Sequence, residues 1–505
     1  MFLMKLIASL LLTMSLVGAA ETSSLWGSHG EAWDPAGRLP DVSRAGYRDG
    51  DHPLPTLPVT ANVHDFGACG DGVTDDTDAF LQAIAATPAG ALFIPAGHYR
   101  IAQRLFLGRS SLVLRGEGRD ATILDFTRSL TDLKPNPSVT RTGTPTSNYS
   151  WSGGLITVTA KVPTPTSYPI AAAAELGSTR LVLVSTTGLT VGQRLELQVR
   201  DDAAMSLSRW IYDGDLEDTK LLARQKATQI VTLTTIDATS GEVTVDRPLR
   251  FPVREAWTPA LVDISQRIHD VGIEHLTCQF PPTPYLGHFT ETGFNAIDIG
   301  PNVVDCWVRN VLIRHAESGI FLHGSHCTVL DVELRSDKPL DREGCNGHHG
   351  ISVTGADNLI TGFTFSQPFI HDLSVQNATC SGNVFSSGSG VNLNLDHHKE
   401  GPFANVFTNL EAGLGSRIWN SGGGPHLGRH SGTRETFWNI NASTALALPP
   451  ERWGAPGMNL VGLPLQLPDP TLPLPFHVEV VTTGTIIPID LHRAQVERRR
   501  SSISP

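Results

Sequence analysis

The sequence predicts an all-β protein whose main body is a parallel β-helix, a chain wound into stacked coils. First, apolar residues make up 40% and charged residues 17% of the 505 residues, which is too apolar and too weakly charged for a disordered chain. Second, the 48 glycines and 34 prolines favour a turn-rich β protein over a helical one. Third, pairs of short apolar strands recur from residue 262 onward, as stacked coils require.

The repeat is defined by apolar-x-apolar strands that begin at residues 297, 320, 351, 373 and 391, so that successive starts lie 23, 31, 22 and 18 residues apart. Equivalent positions on successive coils of a β-helix lie about 4.8 Å apart. We therefore expect His349 beside His371, with Gln376 and Asn394 on the same broad face. A second apolar segment follows each strand and begins at Cys306, Cys327, Asn358, Cys380 or Ala404.

The cysteine pattern follows from the same repeat. Cys306 and Cys327 occupy equivalent positions on successive coils, which places their Cα atoms within disulfide range. A stacked pair of free thiols explains the spacing equally well, because buried cysteine packs as a small apolar residue. Both alternatives stay open.

The N-terminus predicts export. Lys5, an apolar run over 6–17 and the small residues Gly18-Ala19-Ala20 are typical of a signal peptide over 1–20. We expect a secreted or periplasmic protein with no membrane span, because no later segment offers about 18 uninterrupted apolar residues. The net charge, 38 − 50 = −12, argues against nucleic acid as a partner.

The remaining chain divides by composition. Residues 21–60 are rich in Pro, Gly and Asp and predict an extended lead-in. Asp75, Asp76 and Thr77 precede apolar residues at helical spacing, which predicts a capping helix near 76–87 at the start of a β-helix over 61–445. Alternating segments over about 170–252 predict a small antiparallel β insertion. The Pro-rich end, 446–505, predicts a covering segment followed by a disordered tail.

The segment VHDFGACGDGVTDDTDAF from Val63, with ALFIPAGHYRI and LVLRGEG after it, resembles the opening of pectate-lyase-superfamily proteins. This group includes pectate lyase 3 and polygalacturonase-like enzymes. The resemblance implies a right-handed, single-stranded parallel β-helix, and it is specific for the fold rather than for an activity. We interpret the Asp-rich DGVTDDT as a helix-capping turn, not as a catalytic or calcium site.

Polar residues concentrate between Asn295 and Arg434, where nine of the 19 histidines fall between His323 and His430. Such a face suits β-elimination on a uronic-acid polysaccharide, which needs a neutralised sugar carboxylate, a base at C5 and an acid for the leaving oxygen. The candidate base is His371 or His397. The candidates for the other roles are Asn394, His349 and Arg417 for the carboxylate, Lys399 for the acid, and Asp372 or Asp396 to orient a histidine. Further substrate contacts are expected from Asn295, His323, Gln376, His398 and Trp419.

We expect the lyase to be a monomer that binds an acidic polysaccharide. Two other functions stay open. In a polygalacturonase-like hydrolase, GHHGISV from Gly347 would match the GHG segment, but the paired-aspartate motif is missing and Trp419 stands where lysine is expected. A non-catalytic carbohydrate-binding β-helix is the third function. No cofactor is required, and calcium is the alternative. A transition-metal site is not expected, because the adjacent residues 396–398 cannot all face one way on a strand.

Overall fold

The computed structural model describes residues 20–216, 225–467, 473–481 and 484–503. The predicted signal peptide therefore lies outside the described residues except for Ala20. The fold class is confirmed: the chain forms a right-handed parallel β-helix with an antiparallel insertion. None of the helices in this described part of the chain is long and apolar enough to cross a membrane.

One wall of the β-helix, here called sheet I, receives one short strand from each coil. Its inward side chains, such as Ile297, Ile320 and Ile351, are fully buried, and they stack because parallel in-register pairing places equivalent residues over one another. The strands of sheet I are Leu105–Leu107, Ile156–Val158, Asn295–Ile299, Ser318–Leu322, His349–Val353, His371–Val375 and Leu395–His397.

The rest of the coil wall is a bent sheet. Where a strand turns from one face of this sheet to the next, the bend residue adopts positive φ, as at His275, Asn310, Asp331 and Asn409. Asn, Asp and His tolerate this region better than other side chains, which explains why polar residues recur at the bends. The strands of the bent sheet are Val59–Asn62, Asp71–Asp75, Gly90–Ile94, Gly97–Ile101, Leu112–Gly116, Thr122–Phe126, Gly272–Gln279, Trp307–Arg314, Thr328–Arg335, Leu359–Thr361, Thr364–Phe365, Val384–Ser386, Ser389–Gly390, Val406–Glu411, Thr436–Asn441, Asn459–Val461 and His477–Glu479.

The predicted register of sheet I is confirmed through residue 375 and wrong beyond it. His349 pairs with His371, as expected. The next strand is Leu395–His397 rather than 391–393, and Leu373 pairs with Leu395, 22 residues later. The reason is that Ser389–Gly390 still belongs to the bent sheet, where it pairs with Thr364–Phe365, so that 391–394 forms the connection. Asn394 therefore follows Asp372 in register, not Gln376.

The insertion is an antiparallel sheet with its own apolar core. Phe403 and Ala378 of the β-helix complete that core, which fixes the insertion to the coils. Short pairs of strands lie outside the main sheets: Glu21–Thr22 with Ile486–Ile487, Pro137–Val139 with Pro145–Ser147, and Leu446–Ala447 with Leu465–Gln466. The strands of the insertion are Ser167–Pro169, Arg180–Val182, Arg194–Arg200, Lys226–Ile236, Glu242–Val245 and Ala260–Asp263.

The helices differ from expectation at the C-terminus. The helix expected near 76–87 is present as α1, Thr77–Ala86, although the Asp76 carboxylate accepts from the Cys69 and Gly70 N–H groups instead of capping it. Its role as a cap of the coil stays a prediction. The other helices are α2, Leu130–Leu133, α3, Ser206–Ile211, and α4, Leu491–Ile503.

The prediction of a disordered tail is wrong for residues 491–503, which form α4. Leu491 is buried against the lead-in and the outer face of the coils. The fully buried Gln495 side chain accepts from the Val42 N–H and donates to the Pro40 carbonyl. These contacts order the segment by burial and hydrogen bonding, and the polar, basic sequence alone gave no sign of them.

The cysteines, all in the described part of the chain, are free thiols. Cys306 and Cys327 precede the paired residues Trp307 and Thr328 on successive coils, so the predicted stacking is confirmed and the disulfide is not formed. Burial raises the pKa of the Cys306 thiol far above its ordinary value. The pair is therefore part of the apolar core.

Candidate functional site

A cavity of about 450 Å³ opens on the outer face of sheet I. Its floor comes from successive coils, and its walls come from the 288–289 and 422–424 loops and from Trp151. No acidic or basic side chain other than histidine stands among the described residues that line it. The lining residues are Trp151, His288, Phe289, His323, His348, His349, Ser352, Thr354, His371, Gln376, His398 and Gly422 to Gly424.

Five of these histidines form one cluster. The ring centre of His371 lies 5.0 Å from His349, 5.4 Å from His348, 5.0 Å from His398 and 6.1 Å from His288. His349 and His371 meet because parallel pairing places them on adjacent coils. His398 joins them from the end of the following strand, whereas His288 reaches over from a loop.

Two buried carboxylates stand behind the cluster. Asp396 Oδ2 lies 2.9 Å from His398 Nδ1 and 3.2 Å from His371 Nδ1, while its Oδ1 accepts from the Gly422 N–H at 2.7 Å. Glu291 Oε1 lies 3.1 Å from His348 Nδ1. The predicted orienting role of Asp396 thus has a geometric basis, because a partner on Nδ1 fixes the ring and leaves Nε2 for other contacts.

Burial and neighbouring charges give the histidines of the cluster different pKa values. It lowers the pKa of His371 to about 3 despite nearby Asp396, and that of His288 to about 4. It also lowers the pKa of His349 well below the ordinary range. Burial acts in the same direction on His398, but the Asp396 carboxylate outweighs it and raises the pKa overall. The cluster therefore combines three imidazoles whose pKa is lowered with one, His398, whose pKa is raised.

Other predicted contact residues flank the cluster. His323 Nδ1 lies 2.6 Å from Thr354 Oγ1, and its Nε2 lies 3.9 Å from Asp298. The Gln376 amide donates to Glu400 at 2.9 Å. Both residues line the cavity, and their contact with a substrate stays a prediction. Lys399 follows His398, and its side chain passes beside Gly423 at the rim.

His397 is placed where it cannot act as the base. Its side chain points into the coil interior, is fully buried, and lies with Nε2 2.8 Å from Glu435 Oε1. In sheet I it pairs with the inward residue Val375. The prediction is wrong because His397 occupies an inward position of its strand, while Asp396 and His398 face outward.

Asn394 and Arg417 also lie away from the cavity. Arg417 is held by the Asp372 carboxylate at 2.5 Å, and Asp372 further accepts from the Phe369 and Asn394 N–H groups at 2.7 and 2.8 Å. Asn394 is buried and donates to the Arg417 carbonyl. Asp372 therefore holds an arginine and two backbone groups, not a histidine, which corrects the predicted roles of all three.

Asn295 and Trp419 are likewise structural. The Asn295 amide, fully buried, donates to the Tyr149 and Ser152 carbonyls. The Trp419 indole packs against Phe437 and donates to the Ala447 carbonyl at 2.7 Å. These interior contacts leave neither side chain in the cavity lining, so their predicted substrate contacts are wrong.

Sequence reasoning missed His288, Phe289, Trp151, His348 and Glu291. Most of them lie in connections outside the repeat, so their position could not be predicted from equivalent residues on successive coils. His348 carried a signal, because two adjacent histidines precede the strand at His349. The chain turns just before this strand, and that turn brings both rings, 4.0 Å apart, to the same cavity.

The donor set does not suit calcium. Calcium takes six to eight oxygen ligands in proteins. The described cavity lining instead offers mainly imidazole nitrogens, and Asp396 is already engaged by Ser374, His398 and the Gly422 N–H. We therefore assign no calcium here.

Comparisons with known proteins agree with the predicted resemblance. Residues 60–157 match the family described as rhamnogalacturonase A/epimerase, pectate lyase-like. Mannuronan C5-epimerase AlgE1 of Azotobacter vinelandii is 34% identical over 100 residues, which cover 18% of this chain and 7% of that protein. Alginate lyase 7 of the same organism is 38% identical over 72 residues, covering 12% and 8%. The chain thus spans less than a tenth of the length of these curated relatives.

Among solved structures, the tailspike gp61 of Pseudomonas phage phi297 matches with a TM-score of 0.44 and 13% identity, over 80% of this chain and 64% of that one. The curated relatives are, by name, carbohydrate-modifying enzymes. This chain is a parallel β-helix protein whose residues 60–157 are similar to the pectate-lyase-like family.

Proposed function

We propose that this protein is an exported polysaccharide lyase that cleaves a uronic-acid polysaccharide by β-elimination in the histidine-lined cavity. The observation that carries the proposal is His398, held by Asp396 at the edge of a cavity whose described lining contains no carboxylate. This arrangement supplies a proton-transfer group without adding negative charge beside an acidic sugar.

His398 is the group we assign to removal of the C5 proton. Its Nδ1 faces Asp396, which leaves Nε2 as the nitrogen for the substrate. About a quarter of its side chain is exposed (24%), against 7% for His371, so a sugar can reach it more readily. Lys399, at the rim beside Gly423, remains our proposed acid for the leaving oxygen.

The substrate path extends from the cavity towards the insertion. A second cavity of about 330 Å³ shares His323 and Thr354 with the first and is also lined by Lys226 of the insertion and by Arg267, which follows the last strand of the insertion. Coils stack about 4.8 Å apart, close to the repeat of a sugar chain, so a saccharide along the coil axis would contact one coil per residue. Lys226 and Arg267 both contact the Glu196 carboxylate, which also lines this cavity, so the three side chains together leave one positive charge for an acidic chain.

The cavity lining gives less support to hydrolysis. Glycoside hydrolases usually place two carboxylates on opposite sides of the scissile bond. Asp396 and Glu291, the carboxylates nearest the cluster, lie behind histidines instead. The names of the curated relatives favour epimerisation as a second candidate, because C5 epimerisation and elimination can both begin with loss of the C5 proton.

The test is a panel of uronic-acid polysaccharides incubated with the mature chain in deuterated buffer. Ultraviolet absorbance from unsaturated uronyl ends, with new reducing ends, is expected for the lyase. Reducing ends without that absorbance would indicate hydrolysis, and deuterium at C5 without cleavage would indicate epimerisation. His398→Gln should abolish the signal while the protein stays folded. Full activity of this variant would contradict the assignment of His398.

A further inference from the structure

Three histidines of the cluster converge in a way that the proton-transfer role of His398 does not explain. One ring nitrogen from each of His288, His348 and His371 lies within 4.8 Å of the other two. Tetrahedral bonds of about 2.1 Å from nitrogen to zinc place the nitrogens about 3.4 Å apart, so small ring rotations would close the set around one ion. His288 reaches this position from a loop, outside the strands of sheet I.

The nitrogens behind these rings are already directed at carboxylates. His348 Nδ1 lies 3.1 Å from Glu291 Oε1, and His371 Nδ1 lies 3.2 Å from Asp396 Oδ2. Metal-binding histidines commonly direct one nitrogen at a carboxylate in this way and bind the ion with the other. Two buried carboxylates, Glu291 and Asp396, thus lie beside Nδ1 of His348 and His371, which leaves the other nitrogen of each ring to bind an ion.

His371 provides a separate sign of a missing partner. It is 5% exposed, yet neither ring nitrogen has a hydrogen-bond partner among the described residues, although Nδ1 lies 3.2 Å from Asp396 Oδ2. Buried polar atoms are nearly always satisfied, because leaving one unpaired costs about 1–3 kcal/mol. An ion bound by Nε2 would remove this cost.

We propose that His288, His348 and His371 bind a divalent transition-metal ion, with zinc as the best match to three imidazole nitrogens. Three protein ligands leave a fourth position open, as in catalytic zinc sites, and here that position faces the cavity. The described lining contains no arginine or lysine, so the ion would be its fixed positive charge. Neutralising a sugar carboxylate is the role we assign to it, and that role alone rests on the proposed function.

A second set, His371, Asp396 and His398, also meets within 4.8 Å, but we assign the ion to the first. Asp396 Oδ2 already accepts from Ser374 at 2.7 Å and contacts His398, and its Oδ1 accepts from the Gly422 N–H. An ion on Asp396 would compete with these bonds. The three-histidine set contains no carboxylate ligand and keeps Asp396 and Glu291 as supporting partners.

The experiment measures zinc directly and does not require activity. The mature chain, prepared without a histidine tag and treated with a chelator, is titrated with zinc chloride by calorimetry, and bound zinc is counted by elemental analysis. We expect one zinc per chain. His288→Gln and His348→Gln should each weaken zinc binding by ~100-fold or more, and Glu291→Gln by about 10–100-fold.

Two variants make the assignment specific. His398→Gln should keep zinc within about tenfold of the wild-type affinity, because it removes a ligand only from the second set. His64→Gln changes an exposed histidine of the N-terminal coils and should leave binding unchanged. Thermal unfolding checks each variant, and His288→Gln, on a loop, keeps the test valid if His348→Gln does not fold.

Absence of stoichiometric zinc in the wild type would overturn the proposal. So would undiminished binding in folded His288→Gln, or loss of binding confined to His398→Gln, which would move the ion to the second set. Zinc bound as expected without any lyase signal would uphold the site and refute only its role in the proposed reaction.

Discussion

Replacing Asp396 with asparagine should separate the orientation of His398 from the fold around it. Asp396 is fully buried and has almost the same volume as asparagine. Its Oδ2 now fixes the Nδ1–H tautomer of His398 at 2.9 Å. An asparagine amide placed there would donate to Nδ1, which moves the ring proton to Nε2 and removes the lone pair that the C5 proton needs.

The expected loss follows from general-base catalysis. A positioned base contributes about 10²–10⁴-fold, so Asp396→Asn should lower kcat/KM by that factor, or about 3–5 kcal/mol of transition-state stabilisation. The fold should change little, because asparagine can still accept from the Gly422 N–H. A shift in Tm of only a few degrees is expected for a loss near 1 kcal/mol in a chain of this size.

The assay follows unsaturated uronyl ends by absorbance, with saturating zinc present so that any weakened metal binding does not limit the rate. Asp372→Asn is the matched control. It removes a buried carboxylate from the preceding coil of the same sheet, but Asp372 holds Arg417 rather than a histidine. This control should lose stability, because Arg417 loses its charged partner, and should keep its kcat/KM in the folded state.

A kcat/KM of Asp396→Asn within tenfold of the wild type would contradict an orienting role for Asp396. That role would also be refuted if Asp372→Asn, while folded, lost as much activity as Asp396→Asn. Either result would show that the rate of turnover does not depend on the orientation of His398 by Asp396.

Two further predictions concern the scaffold. Asn383→Ala should destabilise the fold by about 2–4 kcal/mol in denaturant unfolding, because the Asn358 N–H and the Gly355 carbonyl lose their partners in the buried interior; an effect below about 1 kcal/mol would contradict this. Burial and then Arg499 lower the pKa of His492 to about 4. Since the unfolded chain gains this proton near pH 6.5 and the folded chain does not, stability should fall by up to about 3 kcal/mol between pH 6.5 and 4, and His492→Gln should flatten this part of the pH dependence of Tm.

The stacking of residues on successive coils could be predicted from the sequence, because each coil repeats the same pattern of inward apolar side chains. Ile320, Ile351 and Leu373 give a clear register, and His349 and His371 were placed side by side from it. Prediction failed after Val375, where Ser389–Gly390 extends the bent sheet before the chain returns to sheet I. A connection of unusual length contains no periodic signal, so the shift could not be located.

The cavity walls could not be predicted for a different reason. His288 and Trp151 lie in connections whose length and path are set by packing on neighbouring coils, not by the repeat. The ring of His288 stacks on Phe289 at 3.7 Å and meets His348 edge-on at 4.4 Å. Contacts of this kind join segments about 60 residues apart, and no local pattern in a single sequence reports them.

The run from Asp396 to His398 gives the sharpest test of the corrected register. Neighbouring residues on a strand face opposite sides, so His397 and His398 should respond oppositely to the same substitution. His397→Gln removes the group beside Glu435 in the interior, and should cost at least about 2 kcal/mol of stability while the folded protein keeps its kcat. His398→Gln should keep its Tm and lose turnover. Unfolding curves and kcat measured on both variants decide the matter: loss of activity in a stable His397→Gln would return that residue to the site and refute the register of Leu395–His397.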